Sequence, residues 1–97
     1  MQDVRTKAAE IQSAIYRKQR ASRLEQARLT KGFSLQELAD LIGMDRKTLG
    51  KVEQGESNVK AKDLELIALY TGQDIQWLMF GDIHKERELA LKNDSHG

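Results

Sequence analysis

Residues 34–56 read SLQELADLIGMDRKTLGKVEQGE, two short amphipathic pieces joined at a single glycine, Gly43. No other stretch of the chain limits the fold as much. Ser34 and Glu37 have the S-x-x-E spacing of a capping box, in which each side chain satisfies the other's free backbone N–H, so a helix opens here. Leu35, Leu38, Leu41 and Ile42 then recur at helical spacing. Gly43 stops that helix, because glycine takes the left-handed conformation cheaply. Asp45 is the N-cap of a following helix in which Leu49 and Val52 point inward together.

Two helices that cross steeply over so tight a turn need a small residue where their backbones approach, and Ala39 supplies one. They also need apolar residues that lock the pair, a role for Leu38, Ile42, Met44, Leu49 and Val52. This is the arrangement of a helix-turn-helix. With Leu49 and Val52 inward, Arg46, Lys47, Gly50 and Lys51 project outward around the start of the second helix. In this motif that helix lies in the major groove of DNA with its N-terminal residues at base edges. Arg46, Lys47 and Lys51 can donate to guanine O6 and N7 and to phosphates, and Thr48 offers a hydroxyl and a methyl. Gly50 has two readings: a glycine tolerated in a helix at about 1 kcal/mol relative to alanine, or one that lets DNA approach the backbone.

The rest of the chain also reads as helical, so the expected fold is all-α, a five-helix domain with an extra N-terminal helix. Val4, Ala8, Ile11 and Ile15 make an apolar stripe that fails at Lys18 and Ser22. Ser22 and Glu25 repeat the capping-box spacing, which predicts a break near Ala21 and a new helix from about Arg23, ending before Gly32. A helix over about Lys60–Thr71 buries Leu64, Ile67 and Ala68, and the short turn DIQWLMFG supplies Trp77, Leu78 and Phe80. The expected organisation is an N-terminal helical extension over 1–21, a DNA-binding domain over 22–81 and a charged, partly disordered tail over 82–97.

Composition removes several function classes. The 97 residues, 39% hydrophobic and 32% charged, suit one small domain. With Cys 0 there is no disulfide, thiol nucleophile or thiolate metal site. No apolar run approaches the roughly 18 residues needed to span a bilayer, and the amino terminus lacks the apolar core of a secretory signal, so the expected setting is cytoplasmic. His84 and His96 are isolated, which leaves no catalytic or metal-ligating constellation; neither an enzyme, a cofactor nor a metal is expected. The net charge of +1 hides an asymmetry: residues 1–31 stand at about +5 and the remainder at about −4. A basic face can bind phosphates despite a near-neutral total.

From about Leu24 to Gly81 the chain resembles the phage repressor and Cro-like helix-turn-helix family. The resemblance rests on ARLTKGFSLQELADLIGMDRKTLGKVEQGE, LELIALYTG and WLMFG, in the family's order and near its spacing. It implies that Arg46, Lys47 and Lys51 occupy base-reading positions, with Gly50 at a groove-facing one. It implies a buried ion pair between Arg28 and Glu53, and phosphate contacts from Lys60 and Lys62 beyond the second helix of the motif. Ser34 and Gln36, at the start of the first, are further phosphate candidates. Three departures stand out. Leu35 replaces a glutamine that braces the recognition helix in many members, Asp45 replaces a neutral cap, and Val59 replaces a common proline. Trp77 falls at a core position of the last helix.

Members of this family bind operators as dimers. The Val4, Ala8, Ile11, Ile15 stripe is therefore a candidate for homodimerisation, with packing back onto the chain's own core as the alternative. Arg17, Lys18, Arg20 and Arg23, just after it, are candidates for phosphate contact. The expected function is sequence-specific binding of a double-stranded DNA operator by a dimeric repressor or autoregulator. The alternative is an antitoxin or protein-interaction module on the same fold, capping a toxin through the N-terminal stripe or the segment KERELALK.

Overall fold

The structure, a computed structural model, describes the backbone of residues 4–82 and the side chains of residues 7–82. The expectations for KERELALK, His84, His96, the tail beyond Asp82 and the Val4 side chain lie outside the described residues. Five helices follow in order: α1 (Val4–Lys31), α2 (Leu35–Ile42), α3 (Arg46–Glu53), α4 (Ala61–Thr71) and α5 (Ile75–Phe80).

The α2–α3 unit forms as its sequence dictates. The Ser34 hydroxyl accepts from the Glu37 N–H at 3.1 Å, and the Glu37 carboxylate accepts from the Ser34 N–H at 3.0 Å. These bonds hold the Glu37 carboxyl below its ordinary pKa. Gly43 ends α2 at φ 70°, in the left-handed region, and the Met44 N–H donates to the Ala39 carbonyl at 2.9 Å. Asp45 caps α3 by accepting from the Lys47 N–H at 3.1 Å. Ala39 is wholly buried, which allows the two helices to cross closely.

The core gathers one stripe from each helix. Leu24, Leu38, Leu49, Ile67 and Leu78 are the largest fully buried side chains, with Ala27, Ile42, Val52 and Leu64 among them. Val59 and Trp77 pack against this cluster, half-buried.

Two expectations need correction. There is no break at Ala21: α1 runs unbroken across the expected boundary between 21 and 22. Ala21 is buried and Ser22 exposed, so Ser22 sits on the outer face of a continuing helix. A serine cap is worth about 1 kcal/mol, and forming it here would sever the backbone ladder and disturb Ala21 and Leu24 in the core. No glycine or proline in the segment forces the issue. Phe80 is the second correction: it is 55% exposed. The six residues of α5 turn one stripe inward, and Leu78 holds its centre.

Candidate nucleic-acid interface

The position of α3 is set by a buried ion pair. The Arg28 Nε donates to both Glu53 carboxylate oxygens, at 2.8 and 3.1 Å, and its Nη2 donates to Oε1 at 2.9 Å. Its Nη1 donates to the Phe33 carbonyl at 2.9 Å. One guanidinium thereby joins α1, the α1–α2 turn and α3. The two side chains are 11% and 6% exposed, and hydrogen bonding to Glu53 raises the Arg28 pKa above its ordinary value despite opposition from burial.

With Leu49, Val52 and Glu53 inward, the opposite side of α3 faces solvent. Arg46, Lys47, Thr48 and Lys51 are all exposed there. Arg46, Lys47, Gly50 and Lys51 border an open concavity of ≈ 440 Å³, whose other wall is Leu35 of α2. Gly50 is half-buried on its floor, where an added Cβ would meet the Leu35 Cδ2 at 3.6 Å, an ordinary contact. Leu35 thus stands as an apolar neighbour of α3 at Gly50 and packs against the core. Gln54 and Glu56 close the far end of the concavity. The patch combines clustered cations, a small residue in its floor and a rigid mounting, which suits docking on a polyanion.

The candidate phosphate residues are placed less uniformly. Ser34 is exposed and its oxygen takes the capping bond. The Gln36 amide is exposed and donates to Asp40 at 2.8 Å. Lys60 is the N-cap residue of α4 and Lys62 lies in its first turn, both exposed. Arg20 Nη2 donates to the Asn58 Oδ1 at 3.2 Å, in the loop that leads to them. Arg23 departs from expectation. Its Nε donates to the Leu78 carbonyl at 3.1 Å and its Nη2 to the Met79 carbonyl at 2.8 Å, so it caps the end of α5. Burial lowers its pKa, and two of its donors are already spent inside the protein.

Sequence reasoning missed the wall formed by Leu35, the far end formed by Gln54 and Glu56, and a bond from the Arg17 Nε to the Gly55 carbonyl at 2.7 Å. The capped α2–α3 pair with its cationic outer side has the form of a helix-turn-helix. The comparisons agree. A helix-turn-helix family profile matches residues 24–78. Among solved structures, the restriction-modification controller protein C.AhdI from Aeromonas hydrophila is 34% identical with a TM-score of 0.60, covering 67% of this chain and 97% of its own. Among proteins of curated function, none matches. The chain belongs to the helix-turn-helix family and is a DNA-binding regulator of transcription.

Proposed function

We propose that the protein is a sequence-specific repressor or autoregulator that binds a double-stranded operator as a homodimer, reading the major groove with α3. The observation that carries this reading is the sidedness of α3. Every inward residue is spent on the core or on Arg28, while Arg46, Lys47 and Lys51 border a concavity that no other part of the described chain fills, and Thr48 is exposed on the same helix. Arg20, Lys60, Lys62, Ser34 and Gln36 are the proposed phosphate contacts, which would supply the salt-dependent part of the affinity.

The stripe on α1 supports self-association. Ile15 lies about half a turn out of phase with Leu24, nine residues on, so it faces away from the seam that meets the core. Ile11 and Ile15 are 56% and 50% exposed, and Ala8 is exposed, which favours a partner helix over packing onto the same chain. Likeness to a controller protein favours the regulatory reading over the toxin-capping one. Among the described residues no helix is long and apolar enough to cross a membrane, in keeping with action in the cytoplasm.

The test is selection of random duplexes by the pure protein, with its mass measured in solution. A two-fold symmetric site with half-sites about 10 base pairs apart is expected. Ile11→Asp should halve the mass. Failure to enrich any sequence would sink the reading.

The concavity floor gives a second expectation. Gly50→Ala should raise stability by up to about 1 kcal/mol, because alanine is the better helix former and its methyl meets Leu35 at ordinary distance. The same methyl should weaken operator binding by narrowing the approach to the backbone. Thermal unfolding and operator titration read the two effects separately; a stabler variant with undiminished affinity would show that the duplex does not touch this floor.

A further inference from the structure

The chain immediately after α3 is held from two sides. From within, the Gly55 N–H donates to the Val52 carbonyl at 3.1 Å and the Glu56 N–H to the Lys51 carbonyl at 2.9 Å. From outside, α1 grips the same turn. The Arg17 Nε bonds the Gly55 carbonyl at 2.7 Å, and Arg20 bonds the Asn58 side chain at 3.2 Å. Gly55 is buried so closely on α1 that an added Cβ would stand 3.1 Å from the Lys18 Cα and 2.8 Å from its Cγ. Its φ of +76° reserves the position for glycine on a second ground. A turn with these restraints has one conformation to offer. The residues on either side of Gly55 are exposed, and both line the concavity that Lys47 and Lys51 border. Arg17, Lys18 and Arg20 all precede residue 24, where the family match begins.

Resting on the reading of α3 as the recognition helix, we propose that the turn after α3 is a second element of duplex readout. Glu56 is its specificity-determining residue, and Arg17 is the positioning residue that fixes it. A carboxylate accepts from the exocyclic amine of cytosine, which no cation on α3 can do. Where no exocyclic amine of cytosine or adenine stands within its reach, the same charge is unmatched and repelled by phosphates. It therefore lowers binding to unrelated DNA while it is satisfied at the cognate step, which sharpens discrimination from both directions. Arg17 contributes through Gly55: its bond to the carbonyl sets where the neighbouring Glu56 points.

The test selects random duplexes with the wild type, Glu56→Ala, Arg17→Ala and Arg17→Lys. It then measures affinity for the wild-type-selected duplex and for an unrelated one across salt concentrations. Glu56→Ala is expected to lose preference at one base pair, and its ratio of selected to unrelated affinity to fall about tenfold, in part through tighter binding of unrelated DNA. Arg17→Ala should lose preference at the same base pair with an unchanged salt slope, and Arg17→Lys, which keeps a donor for the carbonyl, should recover it. An unaltered selected sequence for Glu56→Ala overturns the proposal. So does a salt slope for Arg17→Ala that is shallower by about 0.9, since that change marks a lost phosphate contact. If Arg17→Ala unfolds, the exposed Glu56→Ala decides the readout and Arg17→Lys decides the positioning, a lost preference in the lysine variant counting against it. A wild type that enriches no sequence removes the reading of α3 along with this proposal; an enriched site that Glu56→Ala leaves untouched removes this proposal alone.

Discussion

Glu53→Ala is expected to destabilise the protein by about 3–5 kcal/mol, because it leaves the Arg28 guanidinium buried without its counter-charge. Arg28 is 11% exposed and donates three bonds to this one carboxylate, so water cannot readily take Glu53's place. A domain of this size has about 5–15 kcal/mol in hand, so the variant should be marginal at 25 °C. Glu53→Gln keeps the acceptor oxygen but not the charge, and should fall between. Replacing both partners, as Arg28→Met with Glu53→Leu, should restore most of the loss, because desolvation of two charges offsets much of their attraction. Raising pH through the neutral range should not weaken the pair. The folded-state pKa of Arg28 is raised above its ordinary value, so its contribution is complete throughout the neutral range and lost only in strong alkali. Urea unfolding followed through the half-buried Trp77 measures each variant, and a single Glu53→Ala cost under about 1 kcal/mol would show that the pair is dispensable.

The parts of this fold that could be read from the sequence are those whose causes are local. The turn at Gly43 and the caps at Ser34 and Asp45 involve residues at most five apart, and each formed as expected. The outward side of α3 was legible by subtraction, since Leu49 and Val52 fix the phase of the helix. Ser22 and Glu25 obey the same local code as Ser34 and Glu37, yet only the second pair makes a cap. The difference lies in Ala21 and Leu24, whose places in the core keep the ladder intact around Ser22. Arg23 and Arg17 were illegible for a related reason. A cationic residue near a basic run looks the same whether it awaits a phosphate or a carbonyl, and their carbonyls lie 55 and 38 residues away. Leu35 looked like a lost contact because its packing against Gly50 depends on the crossing of two helices, which spacing alone does not fix.

Lys47→Ala combined with Lys51→Ala should abolish selective binding while leaving the fold intact. Both side chains are exposed, and neither enters the core, the α3 cap through its ammonium, or the Arg28 network. Stability should therefore stay within about 0.5 kcal/mol of wild type. A well-placed contact to a base edge is worth about 1–3 kcal/mol of discrimination, so losing two should cut affinity for the selected operator by a factor of about 30 to 10⁴. The salt dependence separates the roles of the two lysines. A lysine that reads a base leaves the slope of log K against log salt nearly unchanged and relaxes specificity at one position; one that holds a phosphate lowers the slope by about 0.9 and weakens all sequences alike. Because Lys47 lies in the first turn of α3 and Lys51 one turn on, the two single variants should relax different base pairs. Quantitative footprinting of both singles and the double on the selected duplex gives these values. Wild-type protection in the double variant would mean that some surface other than the outward side of α3 meets the DNA.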